Sequence, residues 1–312
     1  MNPNSNVSPL RKALALLLVA VLAVVVFLSA CQSAPSTQSP QDFETQWHDL
    51  IAQRNYTAAQ KLIDQREKQH PGDAEVSIAR ANLYFRQATS AAAGFSGSGR
   101  GAGSAGDSAK FDTLLVRRAL DELSQGIAKH PERFDMRLGL AYLFQQVGLR
   151  VPQAELIRET VAYTKAHADS LRWTYGDPLP APAETYVPQM LHDYVRYYVD
   201  RAAPGDDQAV FALGQTVMQA YPHSPYIPND IAYWYGQHGD WDKSLQYLLA
   251  AERADSTDAL VLYNLGWANE QLKRKGPAVH YYRRALVVST AGGKSDITQS
   301  AQQRLAAMGE RP

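Results

Sequence analysis

Histidine followed by proline occurs at two matching places, His70-Pro71 and His130-Pro131, and recurrent imidazoles are the first candidates for metal chemistry. No other His, Asp or Glu completes either pair at ligand spacing. A histidine in the last turn of a helix, ahead of a proline stop, is accounted for by the helix dipole, so no metal is expected. Gly101-Ala102-Gly103-Ser104-Ala105-Gly106 spells a dinucleotide fingerprint, but that motif works only between a strand and a helix, and no strand is readable there. The sequence holds no GxxxxGK[ST] phosphate loop, HExxH, GxSxG, EF-hand loop or cysteine pair, and no cofactor is expected. Three acids, Asp169, Asp177 and Glu184, fall in one proline-rich stretch, yet their spacing selects no acid–base pair. What remains is one thiol, Cys31, in a chain with no second cysteine to oxidise against.

The position of Cys31 matters more than its redox state. Arg11-Lys12 precedes an uncharged apolar run from Ala13 to Ala30, which ends Leu28-Ser29-Ala30-Cys31. A basic start, an apolar stretch and small residues before a cut site describe a secretory signal over residues 1–30. The last four residues resemble the lipobox of bacterial lipoproteins, which implies that Cys31 is acylated and becomes the first residue of the mature chain. An uncleaved membrane anchor is the competing reading, because the run approaches spanning length. Both place the rest of the chain outside the cytoplasm. Gln32, a residue other than Asp after the cysteine, implies by the same resemblance the periplasmic face of the outer membrane. Residues 31–41, rich in Ser, Pro and Gln, read as a flexible tether.

What the rest must position is written in residues 225–290, where one pattern occurs twice. The first copy carries Ile231-Ala232, Tyr235, Gly239-Asp240-Trp241, Ser244, Leu248 and Ala251. The second carries Leu265-Gly266, Asn269, Ala278, Tyr282 and Ala285, displaced by 34 residues. Helical spacing with a polar break at 239–240 or 273–276 makes each copy a helical hairpin. The small residues mark where helices approach closely, and Leu248 and Tyr282 fill the space beside them. These copies resemble the tetratricopeptide repeats. Weaker copies precede them: one from Leu191 closing at Pro222, and hairpins with Ala81 and Ala141 in the first helix, Ala59, Ala119 and Ala154 in the second, and Pro71 and Pro131 as stops.

The expected fold is therefore all-α, a solenoid of helical-hairpin repeats over residues 42–309. It has a flexible Gly-rich insertion at 90–109, an irregular Pro-rich loop at 168–188, and a closing helix from Ser295 to Met308 with Ser295 as its cap. Trp173 and Tyr175 are expected to pin the irregular loop onto the helices.

Lys plus Arg equals Asp plus Glu at 31 each, so no strong field exists to attract nucleic acid. The leading expectation is a non-catalytic scaffold engaging an envelope protein or an extended peptide; the alternative is an envelope enzyme, or an enzyme accessory subunit, acting on cell-wall glycan or peptide. In the family the first helices of the hairpins line the binding face, which implies a strip made of Tyr226, Asn229 and Tyr233, then Tyr263, Trp267 and Glu270. That strip holds no Lys or Arg of its own, and Tyr233 and Trp267 at helical spacing read equally well as core.

Overall fold

Helical spacing of apolar residues, cut by Asn, Asp and Gly at the breaks, folds the described residues into helices joined by turns and one irregular segment. The computed structural model describes residues 39–95, 111–200 and 207–311. The expected signal segment, Cys31, most of the tether and the Gly-rich motif lie outside these residues. Thirteen α-helices are described: α1 (Pro40–Ala52), α2 (Tyr56–Gln69), α3 (Ala74–Phe95), α4 (Thr113–Lys129), α5 (Phe134–Gln146), α6 (Arg150–Ala166) and α7 (Ala183–Asp200). They continue as α8 (Asp207–Ala220), α9 (Tyr226–Gln237), α10 (Trp241–Ala254), α11 (Ala259–Gln271), α12 (Lys275–Ala291) and α13 (Ser295–Ala307). Among the described residues there are no helices long and apolar enough to cross a membrane.

Two compact units divide the chain, Met1–Asp49 and Leu50–Pro312. In the first, the rings of Trp47 and His48 stack at 4.0 Å on α1. The second holds everything from Leu50 onward, where short polar caps start several helices. Asn55, Asp112, Asp240 and Asp258 accept hydrogen bonds from first-turn N–H groups of α2, α4, α10 and α11, satisfying donors that have no partner inside the helix. Each such cap is worth about 1 kcal/mol.

Close approach explains the small residues. A Cβ added to Gly266 would meet the Tyr282 ring at 2.5 Å, so α11 lies against α12 only because that side chain is absent. Ala232, Ala251, Ala278 and Ala285 are all fully buried. Further back, one apolar cluster runs from Phe134 and Ile157 through Leu191 and Leu213 to Ile231, so that α5 to α9 share a continuous core. Each large aliphatic residue buried there contributes roughly 2 kcal/mol.

The structure corrects four boundaries. Helix α1 begins at Pro40, inside the expected tether, and α3 runs to Phe95, into the expected insertion at 90–109. Helix α7 begins at Ala183, so the irregular segment is shorter than 168–188 and Pro188 lies inside a helix. Val187, Leu191 and Val195, buried at helical spacing, outweigh the one hydrogen bond that proline removes. Finally, Ser295 is the first residue of α13; the capping position belongs to Lys294, whose side chain makes no cap bond.

Candidate partner-binding site

Helix α7 packs against α9, α9 meets α11, and α11 meets α13, so the first helices of the last hairpins lie side by side. Between α9 and α11 the Asn264 amide donates from Nδ2 to Asn229 Oδ1 at 2.8 Å. Asn229 is buried, and its carbonyl would lose a solvating partner without that donor. One turn from this amide pair stand Tyr233 on α9, 38% exposed, and Leu260 on α11, 44% exposed. The pair therefore lies between two uncovered apolar side chains on one face.

On the α7 side, Tyr226 stacks on His192 with ring centres 5.2 Å apart, and the Arg196 guanidinium lies 5.9 Å from the Tyr233 ring centre. His192 Nδ1 is 3.3 Å from Asp230 Oδ2, and its Nε2 is 3.4 Å from Asp193 Oδ1. The hydrogen bond to Asp230 raises the imidazole above its ordinary value, against burial. Burial in turn pushes the Asp230 carboxyl up, opposed by His192.

The six residues expected to form one strip divide into two groups. Asn229 forms the amide pair, with Tyr226 and Tyr233 one turn away on the same helix, whereas Tyr263, Trp267 and Glu270 turn toward α10, α12 and α13. The Tyr263 ring lies 5.4 Å from that of Tyr282, and Trp267 packs edge-on against Trp241 at 5.0 Å. Glu270 accepts the Tyr282 hydroxyl at 2.7 Å and a weaker contact from Arg304 at 3.5 Å. The physical reason is Tyr282: it fills the space over Gly266, and its hydroxyl, pushed far above its usual range by burial and by Glu270, draws the carboxylate inward. Arg196 gives the face a guanidinium group that the six residues lack.

Asn264, Leu260 and Arg196 were not among the residues the period pointed to. A step of 34 carries Asn229 to Tyr263, next door to its partner. The one usable signal was chemical, because a buried amide on α9 requires another polar group on the adjacent helix.

The irregular segment is held by backbone hydrogen bonds and by the Trp173 ring. Its backbone joins α5, Arg172 N–H donating to Glu132 O at 2.8 Å and Phe134 N–H to Arg172 O at 2.9 Å. Trp173 packs against Phe134 at 6.1 Å and Tyr186 at 5.3 Å, and the Tyr175 N–H donates to Glu75 Oε1 at 3.1 Å. That carboxylate also pairs with Arg133 at 2.8 Å, which Asp135 holds on the other side. Burial pushes Glu75 up despite Arg133; burial also opposes the charge on Arg133, but Asp135 and Glu75 outweigh it and push Arg133 up. Of the three acids nearby, Glu184 pairs with Lys165 at 2.9 Å, whereas Asp169 and Asp177 face solvent. His70 and His130 cap the C-termini of α2 and α4, and the His130 ring bonds Gly72 O at 2.7 Å.

The repeated hairpins, α9 to α12, are the part of the chain that a family model matches. Residues 230–295 match the tetratricopeptide repeat model. Tetratricopeptide repeats serve in general as protein–protein interaction scaffolds. The matched stretch holds the amide pair's Asn264, Tyr233 and Leu260, so most of the candidate face lies on the tetratricopeptide hairpins themselves. No curated protein matches the chain. Among solved structures, it is similar to the C-terminal part of a TPR repeat-containing protein from Cytophaga hutchinsonii, at 11% identity over 85% of this chain and 87% of that one, with a TM-score of 0.47. It is also similar to PilW, described as a widely conserved type IV pilus biogenesis factor, at 14% identity over 84% and 98% of the two chains, TM-score 0.38. A third is a thermophilic tetratricopeptide protein of Thermus thermophilus, at 14% identity over 62% and 91%, TM-score 0.37.

Proposed function

We propose that this protein is a non-catalytic adaptor of the bacterial cell envelope, held to a membrane by lipid on Cys31, which engages an envelope protein or extended peptide through α9 and α11. The observation that carries the reading is the Asn229–Asn264 bond between exposed Tyr233 and Leu260. A single bond between two amides leaves one donor group and one acceptor, which suit the N–H and C=O of an extended backbone. Tyr233 and Leu260 supply apolar contact on either side, the tyrosine at low entropic cost. Tyr263, Trp267 and Glu270 then support the face from α11 by fixing its packing on α12.

The envelope half of the proposal rests on residues 1–32. Leu28-Ser29-Ala30-Cys31 after an apolar run supports acylation, and Gln32 supports the periplasmic face of the outer membrane. Two or more acyl chains bind a membrane stably, where one is marginal. Intact-mass measurement of the membrane-extracted protein tests this half: the proposal requires a chain that starts at an acylated Cys31, and an unmodified cysteine or a retained leader contradicts it. A pull-down from detergent-solubilised envelopes tests the other half. A stoichiometric protein partner lost in Tyr233→Ala supports the adaptor, whereas turnover of cell-wall fragments by the purified chain supports an enzyme instead.

A further inference from the structure

From residue 271 to residue 295 the sequence contains no Asp or Glu, yet it contains Lys273, Arg274, Lys275, Arg283, Arg284 and Lys294. That is a local imbalance in a chain whose acids and bases are equal in number. Helix α12 carries half of it, Lys275, Arg283 and Arg284. One of its faces, with Ala278, Tyr282, Ala285 and Ser289, is buried, and the helix packs against α11 and α13. At about 100° per residue the opposite face reads Gly276, His280, Arg283 and Val287. This is the spacing at which one helix receives another.

These four residues, with Val279, Arg284 and Val288, line an open groove of about 420 Å³. Val287 is 69% exposed, and a Cβ added to Gly276 would meet nothing, so another backbone can approach closely there. Carboxylates from other elements only partly balance the cations. Glu310 is shared by Lys275 at 3.4 Å and Arg283 at 3.0 Å, Glu252 holds Arg284, and Asp242 lies 3.5 Å from Arg274. Two acids, Glu310 and Glu252, stand against the three bases of α12 itself, which leaves its surface positive.

We infer that the outward face of α12 is a docking surface for an acidic amphipathic helix of a partner protein. The interval from Gly276 to Val287 is about 16 Å long, enough for three turns of such a helix. Its apolar stripe covers Val287 and the groove floor, while its carboxylates replace the shared Glu310 on Lys275 and Arg283. A small molecule is the poorer occupant, because a groove lined by a single helix cannot enclose most of a ligand's surface. This face belongs to a second helix of its hairpin and does not depend on the α9–α11 reading.

The test uses the purified chain and a fluorescein-labelled helix of about five turns built from Leu and Glu, with a Leu/Lys counterpart as control. Fluorescence anisotropy is expected to show the Leu/Glu helix binding at least about tenfold more tightly than the Leu/Lys helix, and more weakly as salt rises. Val287→Glu and Arg283→Glu, both at exposed positions, should each weaken it by about tenfold with unchanged melting temperature, and Tyr233→Ala should leave it unaltered. Absence of saturable binding, undiminished binding by the two α12 variants, or tighter binding to phosphatidylglycerol vesicles than to the helix overturns the proposal.

Discussion

Asn264 donates to Asn229 at 2.8 Å across a separation of 35 residues, one more than the period of the repeat. The offset ties the first helices of adjacent hairpins through polar groups rather than through the small-residue contacts that join the helices of each hairpin. Asn264→Ala leaves the buried Asn229 carbonyl unpaired and should cost about 1–3 kcal/mol. Replacing both asparagines by leucine should cost less than the single change, because no orphaned acceptor remains. Urea denaturation of the two variants beside the wild type measures this; a stable single variant with a damaged double would show that the bond is not what the buried amide needs.

Tyr233 and Trp267 occupy matching places in the two hairpins but meet different surroundings. Trp267 packs on Trp241, so Trp267→Ala should destabilise by about 2–3 kcal/mol, the lower end for a half-buried aromatic. Tyr233, more exposed and beside Arg196, should cost under about 1 kcal/mol on the same change. Thermal and chemical denaturation separate them, and equal losses would contradict the assignment of Trp267 to packing and Tyr233 to the face.

Much of this architecture was legible because the repeat writes its packing in residue size. Gly266 and Tyr282, or Ala232 and Leu248, are complementary pairs that a period exposes. The boundaries that were misread are cases where burial or propensity overrode a breaker. Pro188 reads as a stop, but Val187, Leu191 and Val195 keep α7 helical through it. The alanines at 91–93 carry α3 into a segment whose glycines and serines argue for a loop. The candidate face was legible only in half, since Tyr282 and its hydroxyl redirect Glu270 in a way that first-helix spacing does not encode.

Lys273 holds φ at 60°, in the turn that Gly239 makes at 81° one repeat earlier. A left-handed conformation costs a side-chain-bearing residue about 1–2 kcal/mol, whereas glycine loses about 0.5–1 kcal/mol through its freer unfolded chain. Lys273→Gly should therefore stabilise by roughly 0.5 kcal/mol, and Gly239→Ala should destabilise by about 1 kcal/mol. The urea midpoints should move in opposite directions, and a shared direction would contradict the turn geometry.

His192 binds its proton more tightly when folded than its ordinary 6.5, first because of the hydrogen bond to Asp230. Its contribution to stability is thus fully present below 6.5 and is lost as pH rises through the folded value. Asp193 and Arg196 also face the ring, the first supporting the charge and the second opposing it. NMR titration should place the His192 transition above that of an exposed histidine and bring it down in Asp230→Asn. In His192→Gln the loss of stability on raising pH from about 6 to about 8 should shrink; an unchanged slope would assign it to other groups.

The account's central claim is that α9 and α11 present a peptide-binding face around the Asn229–Asn264 pair. The direct measurement is isothermal titration of linear peptides, selected on the wild-type chain from a random library, against Tyr233→Ala and Leu260→Asp. The prediction is an affinity loss of about tenfold or more in each variant, about 1.4 kcal/mol, with melting temperatures close to wild type. Undiminished affinity in both variants, or a library that yields no binder, would contradict it.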